Sequence, residues 1–459
     1  MRDTEEGPVR VTRTDLANKS DGTANVDVVG VGLGPFNLGL AALLEPVEDV
    51  SAIFFEAEPD FAWHPGLMLT GTTLQVPFLA DLVTLADPTS RYSFLNYLHE
   101  HDRLYRFYFY ERFHVPRQEY DAYARWVAHG LPTCRFGHRV ESVTPDGSGA
   151  WTVRVRSAHG AHTYRARSVV FGVGSRPYVP PVGQDLLGDD LFHAADYLTM
   201  RGKAIEAEAV TVVGSGQSAG EIVADLLETG IHTGQRLDWF TRSSGFFPME
   251  YSKLGLEHFS PEYTTYFHSL PASTRDRVRA GQDLLYKGLS EQTSERIYDL
   301  LYTATIDRPD PPVTYVAGCE LQDVQPSPTP GRQWRLTWHH VDEDRTVARD
   351  TDVVIFATGY RPAPLPVPDG LIQRDEYGRP DVSRDYRLRL DGQPPHPSSL
   401  FTQNAELHTH GVGTPDLGLG AYRNSVIVNA LAGREIYHVP ERTVFQRFGT
   451  AALDDETRH

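Results

Sequence analysis

The first concentrated run of apolar positions is VDVVGVG at 26–32, short and rich in β-branched residues. Such a run predicts a parallel strand buried on both faces. A Gly-rich turn follows, then a helical segment, NLGLAALLEP at 37–46, closed by Pro46, and a second strand, SAIFFE at 51–56. Strand, tight turn, helix and strand make a βαβ opening. The order returns mid-chain as strand AVTVV (209–213), turn GSGQSAG (214–220), helix EIVADLLETG (221–230) and strand LDWFTR (237–242). Two such units predict two dinucleotide sites. The stretch 260–302 is charged, Pro-poor and helical in pattern, and an aromatic loop, GFFPMEYSKLGLEHF at 245–259, precedes it. Strand character returns at TWHHV (337–341) and DTDVVIFATGY (350–360). A Pro-rich loop (361–370) and a closing loop and helix (400–433) follow.

These elements predict an α/β chain of two nested Rossmann-like domains with a small helical region. The expected boundaries are a mobile tail over 1–25, one domain over 26–205 and 352–440, and a second over 206–351. The helical region is expected near 250–305, and a second mobile tail over 441–459.

Composition narrows the function. At 459 residues, 40% of them hydrophobic, the chain has material for a large core and more than one domain. The formal net charge is −18, which speaks against a nucleic-acid or membrane-surface partner, because phosphates are repelled. The same acidity suits a cationic small substrate, or serves solubility alone. Cys134 and Cys319 are far apart and form no CxxC pair, so neither a disulfide framework nor a zinc site is supported. No apolar run reaches membrane-span length, and the polar opening stretch lacks a secretory signal's apolar core, which points to the cytoplasm.

Three motifs carry candidate chemistry. Gly30, Gly32 and Gly34 sit at the first strand-to-helix turn, where backbone can approach a pyrophosphate; Pro35 stands where the usual fingerprint has its third Gly. Glu56 ends the next strand, where an acid binds a ribose hydroxyl. Gly214, Gly216, Gln217 and Ser218 form the second turn, and Arg242 ends its following strand, where an arginine pairs with a 2′-phosphate and favours NADP over NAD. Thr358, Gly359 and Tyr360 follow a buried strand and are expected among the cofactor-binding residues; with VVFGVGS at 169–175, this segment reads as a crossing between the nested domains.

In this order the motifs resemble the class B N-hydroxylating flavin monooxygenases, over residues 26–433. The sharpest marks are GLGPFNL (32–38), WHPGLML (63–69), LQVPFLADL (74–82), DPTSRYSFLNYL (87–98) and NAELHTHGVGTPDLGLGAYRNS (404–425). The last is closer to the lysine and diamine branch than to the ornithine branch. The resemblance implies FAD in the first domain, NADPH in the second with NADP+ retained, and O2 as co-substrate. It implies an amine attacking a C4a-hydroperoxyflavin to give a hydroxylamine for a hydroxamate siderophore. It places Trp63, His64 and Gln75 around the flavin, and Arg117 near the nicotinamide. It puts Asn404 with Gln75 and Arg117 among the catalytic residues and Ser425 beside the substrate, in a homo-oligomer, dimer or tetramer. His408 and His410 are too few to make a metal site, so no metal is expected.

One departure bears on substrate. The family's amino-acid hydroxylases hold the substrate carboxylate with a lysine in a Phe-[Ile/Leu]-Lys-Asp-Leu stretch; here Ala80 takes its place. Leu256 stands where the family has an asparagine, ahead of FSPE at 259–262. A carboxylate buried against Ala and Leu is unpaired and costly. A substrate without one, cadaverine first and putrescine second, is expected. The alternatives are an L-lysine N6-monooxygenase, and an NADPH oxidase or disulfide reductase-like flavoprotein, the latter opposed by the missing CxxC.

Overall fold

The computed structural model describes residues 24–230, 234–307, 310–392 and 398–450. The chain opens with β1 (Ala24–Val31), α1 (Pro35–Leu44), β2 (Ala52–Phe55), α2 (Phe94–Glu100), α3 (Leu104–Tyr110), α4 (Arg117–Gly130) and β3 (Cys134–Arg135). A meander of β4 (His138–Pro145), β5 (Trp151–Ser157) and β6 (Gly160–Phe171) leads to β7 (Ser175–Pro177) and α5 (Pro181–Gln184). Next come β8 (Leu191–His193), α6 (Tyr197–Glu206), β9 (Ala209–Val213), α7 (Gln217–Gly230) and β10 (Arg236–Phe240). Short helices follow: α8 (Lys253–Leu256), α9 (Pro261–Ser269), α10 (Ala272–Ala280), α11 (Asp283–Tyr286) and α12 (Glu291–Ala304). Then come β11 (Val313–Val316), β12 (Cys319–Pro326), β13 (Trp334–His340), β14 (Arg345–Thr351), β15 (Val353–Phe356) and β16 (Tyr360–Pro362). β17 (Leu400–Thr402), α13 (Leu407–His410) and α14 (Gly420–Ala432) complete the order.

One sheet runs β3-β2-β1-β6-β5-β4, with β17 also beside β6. Its β1, β2, β3, β6 and β17 are parallel, and β4 and β5 add an antiparallel edge. The length of β6 allows both patterns: Gly160–Ala166 pairs with β5 and Val169–Phe171 with β17. α1 is apolar almost throughout and buries Asn37 through Leu44, packing with α4 and α14 in one core. Asn37 is the polar exception. Its amide donates to the carbonyls of Val31, Gly32 and Val170 and accepts from Gln403 Nε2 at 2.8 Å, tying the ends of β1 and β6 to the closing loop.

A second sheet, β11-β10-β9-β15-β8, is wholly parallel. The meander β12-β13-β14 covers one face, with Leu336 and Trp338 against Phe240 and Phe356; α6, α7 and α12 cover the other. This sheet takes in β8 and β15, so it reaches back to 191 and forward to 356, beyond the expected 206–351. Pairing is the reason: Val353–Phe356 lies beside Val210–Val213, a central slot that an all-apolar strand fills. The chain passes between the sheets at β7 and β16, which pair antiparallel, the two segments read as crossings.

The ends also differ from expectation. Ala24 and Asn25 belong to β1, while 1–23 of the expected first tail lies outside the described residues. Of the expected 441–459 tail, 451–459 lies outside them, but 441–450 is docked on α9. Glu262 accepts the Thr443 and Val444 N–H groups, Glu257 those of Phe445 and Gln446, and Phe448 packs on His258 and Tyr263. Two carboxylates satisfying four backbone donors, with an aromatic anchor, hold a segment whose composition alone reads as mobile. Among the described residues no helix is long and apolar enough to cross a membrane.

Candidate active site

Both Gly-rich turns lie at the carboxyl ends of parallel strands, where open α/β sheets bind ligands. Gly32 has φ +84°, and a Cβ there would stand 2.4 Å from the Gly172 carbonyl oxygen. Gly214 has φ +129°, and its Cβ would stand 2.3 Å from the Ala357 oxygen. Only glycine fits either place. Gly30 is closed by packing on the Phe54 ring. By contrast, a Cβ on Gly34 or Gly216 would meet nothing within 4 Å, so the outer side of each turn is open. Pro35 begins α1 where its missing N–H costs nothing, and no side chain caps that end, leaving free N–H groups for an anion. The turns therefore fit dinucleotide phosphates.

Glu56 follows β2 with its carboxylate on the first turn, Oε2 accepting the Leu33 N–H at 2.8 Å and Oε1 that of Glu58 at 3.1 Å. At the second turn the Gln217 side chain is bonded within the protein. Its Nε2 donates to Glu221 Oε1 and Thr293 Oγ1, and its Oε1 accepts the Ser290 N–H. Gln217 thus offers only backbone to the turn and joins α7 to α12, while Ser218 is half-buried in the first turn of α7. Arg242 is exposed, with no acidic partner within ion-pair reach among the described residues. Beside it the hydroxyls of Ser215, Thr241 and Ser243 form a chain with 3.1 Å links, a polar shelf that the sequence reading missed.

Between the two units lies an aromatic group. Tyr360 packs edge-on against His64 (5.7 Å) and His193 (5.3 Å), and Trp63 against His64 (5.2 Å) and Tyr120 (5.0 Å). Gly359 has φ +80°, and its carbonyl accepts His193 Nε2 at 3.0 Å; the Thr358 hydroxyl donates to the Tyr178 carbonyl. Burial, and after it the Arg117 charge, lowers the His64 pKa below the ordinary histidine value. Loop 63–69 wedges against the second unit so closely that a Cβ on Gly66 would overlap the Ala195 carbonyl. Arg117, in the first turn of α4, pairs with Glu221 of α7. Burial raises the Glu221 carboxyl against the pull of that guanidinium.

Gln75 is half-buried; its Oε1 accepts from Tyr251 OH at 2.9 Å and its Nε2 donates to the Thr73 carbonyl at 3.3 Å. Ala80 is 5% exposed. Leu256 ends α8, half-buried. Asn404 follows β17 in the left-handed region, φ +66°, fixed by the preceding Gln403 N–H on the Phe171 carbonyl. Ser425 is buried in α14 and its hydroxyl donates to the Ala421 carbonyl at 3.0 Å, so this candidate serves its own helix. His408 and His410 point their Nε2 atoms at the carbonyls of Pro380 and Arg384. Cys134 and Cys319 are free and buried in different sheets, and burial pushes the Cys134 thiol up to about 12. Neither is placed for dithiol chemistry, against the reductase alternative. Sequence reasoning also missed Tyr251, Glu221 and Asp416; the last stood inside the quoted 404–425 motif as an acid in a Gly-rich loop.

Two open Gly turns at the ends of parallel strands in two sheets, with an aromatic group between the two units, define an oxidoreductase that uses two dinucleotides. The chain belongs to the L-lysine 6-monooxygenase/L-ornithine 5-monooxygenase family, whose model matches residues 24–362. It is an NADPH-dependent flavin N-monooxygenase, with FAD and NADPH as its dinucleotides and O2 as co-substrate. It is 47% identical over 436 residues to the rhizobactin siderophore biosynthesis protein RhbE of Rhizobium meliloti, covering 92% of this chain and 95% of the relative. It is 39% identical over 443 residues to the putrescine N-hydroxylase of Shewanella oneidensis, covering 94% and 86%. Among solved structures it is similar to the FAD-bound cadaverine monooxygenase DfoA of Erwinia amylovora, TM-score 0.87 and 41% identity, over 93% of this chain and 99% of that one.

Proposed function

We propose that the chain N-hydroxylates one amine of a linear aliphatic diamine, cadaverine ahead of putrescine, and that the product feeds a hydroxamate siderophore. The observation that carries this reading is the buried methyl of Ala80, where the family's amino-acid hydroxylases hold a lysine. A substrate carboxylate there has no cation to meet. The relatives that act on putrescine and cadaverine support it. The order of the two diamines rests on the 404–425 stretch, which resembles the lysine-length branch.

On this reading FAD is held by the turn Gly30 to Pro35, by Glu56, and by Trp63 and His64, with Thr358, Gly359 and Tyr360 closing the junction. NADPH is held by the backbone of Gly214, Gly216, Gln217 and Ser218, with Arg242 on the 2′-phosphate. Bound FAD, reduced by NADPH, supplies the activation of dioxygen. The chain's own work is positioning and dryness. Gln75 presents an amide whose orientation Tyr251 and Thr73 fix. Asn404 presents a second from a backbone held left-handed. Loop 63–69 packs tightly on the second unit, and a site shielded from water favours the neutral, nucleophilic form of the amine. The test is hydroxylamine formation across cadaverine, putrescine, lysine and ornithine. Diamines should lead, and better turnover of lysine would reverse the reading.

A further inference from the structure

A diamine has a second ammonium, and a buried cation needs a partner. We propose that Asp416 is that partner, the residue that anchors the distal ammonium and selects diamines over monoamines and amino acids. The inference rests on the reading of function above.

Three observations place it. Asp416 caps the short turn Leu417–Leu419, its Oδ1 accepting the Gly418 N–H at 2.7 Å. No side-chain donor and no cation lies within bonding reach of its carboxylate among the described residues, and the residue as a whole is only partly buried. Next, the carboxylate adjoins Ala80. The point where Gly418 would carry a Cβ is 2.8 Å from Asp416 Oδ1 and 3.8 Å from Ala80 Cβ. A lysine at position 80 would put its ammonium near this acid; alanine leaves the acid's charge uncompensated. Last, Tyr251 links Asp416 to the reacting end. Its hydroxyl bonds Gln75, and its phenol is pushed up to about 12 by burial and by the Asp416 charge. Tyr251 thus bonds Gln75 and feels the charge of Asp416, which puts both within the surroundings of one tyrosine.

The surroundings suit an acid waiting for a cation. Burial raises the Asp416 carboxyl to about 6, against the Gly418 and Leu419 N–H groups and the charge of Arg423. Arg423 is itself engaged with Glu406 at 3.2 Å and with the Thr414 carbonyl. A bound ammonium favours the ionised acid.

The test compares cadaverine with pentylamine, which has the same chain and no second amine, in the FAD-loaded enzyme. Wild type should prefer cadaverine at least tenfold in kcat/KM. Asp416→Asn should bring that ratio close to one, mostly through the cadaverine KM. Acidification from pH 7.5 to 5.5 should lower the wild-type ratio as Asp416 protonates, and leave the variant's ratio flat. Ala80→Lys keeps the turn's cap intact and should raise the cadaverine KM at least tenfold by neutralising Asp416, which covers the case of a variant that fails to fold. A wild type active on diamines whose ratio moves less than twofold in both variants overturns the anchor alone. A wild type that hydroxylates no diamine overturns the proposed function as well.

Discussion

Arg117 and Glu221, 104 positions apart, meet as a bidentate pair, with Nη1 on Oε2 at 2.8 Å and Nη2 on Oε1 at 2.7 Å. One stands on α4 of the first unit and the other on α7 of the second, and both side chains are largely buried, at 13% and 3% exposure. Gln217 adds a third donor to the same carboxylate. The pair fixes the start of α7, and with it the second Gly turn, against the first unit.

Removing one partner of such a pair leaves a buried, unpaired charge. Arg117→Ala should therefore cost about 3–5 kcal/mol in urea unfolding of the FAD-loaded enzyme. Glu221→Gln keeps two hydrogen-bonding atoms and should cost less. Both should raise the KM for NADPH, because the second turn loses its fixed pose. An Arg117→Ala enzyme with unchanged stability and unchanged NADPH kinetics would remove the pair from this role.

Arg242 is exposed beside the Ser215, Thr241 and Ser243 hydroxyls. A charge-assisted contact to a phosphate contributes about 1.5–3 kcal/mol, so Arg242→Ala should narrow the NADPH-over-NADH preference by about tenfold to a hundredfold. Stopped-flow flavin reduction with each coenzyme measures it. A wild type that uses both equally well counts against the assignment.

Gln75 bears on coupling. Gln75→Ala should still oxidise NADPH but release more hydrogen peroxide and less hydroxylamine. Tyr251→Phe removes the donor that holds Gln75 Oε1, so it should uncouple in the same direction by a smaller amount. Product and peroxide counted per NADPH decide it. Full coupling in both variants would take Gln75 out of the site.

Much of this arrangement was legible in the chain. The β1 and β9 runs are short, apolar and followed at once by glycines, so strand, turn and helix announce each other locally. The second sheet's limits were not legible. β8 is three residues long, and β15, expected with the first domain, joins the second sheet by pairing with β9. The site divides the same way. Glycines and Arg242 sit at fixed offsets from strands, whereas Arg117 with Glu221, and Asp416 with Ala80, become neighbours only through tertiary packing. Gln217 shows both sides: its place in the turn is local, but its side chain answers to Thr293 and Ser290 of a distant segment.

Acid sensitivity should trace in part to His410. It is 1% exposed, stacked on Tyr386 at 4.5 Å and edge-on to His268 at 5.1 Å. Burial, then the charges of His268 and Arg384, hold its folded pKa well below the ordinary histidine value. The unfolded chain then binds the proton more readily, so this residue's contribution is present above about pH 6.5 and is lost as pH falls. His410→Gln should flatten the fall in Tm between pH 7 and 5 relative to wild type. A parallel pair of Tm curves would assign the sensitivity elsewhere.

The last prediction concerns conversion to an amino-acid hydroxylase. Ala80→Lys with Leu256→Asn restores the two groups that a substrate carboxylate meets in the family's amino-acid enzymes. Asp416 complicates the exchange, because its carboxylate adjoins position 80 and would take the new ammonium for itself. The double variant should therefore lose cadaverine turnover while gaining little with lysine. Adding Asp416→Asn frees the introduced ammonium for the substrate. An unsatisfied buried carboxylate costs about 1–3 kcal/mol or more, so this triple variant should shift the lysine-to-cadaverine ratio of kcat/KM by about tenfold to a few hundredfold over wild type. Hydroxylated product from both substrates, measured in wild type and in the double and triple variants, separates the steps. A double variant that already prefers lysine would mean that Asp416 does not compete for the cation. A triple variant that still prefers cadaverine would mean that positions 80 and 256 do not set the choice.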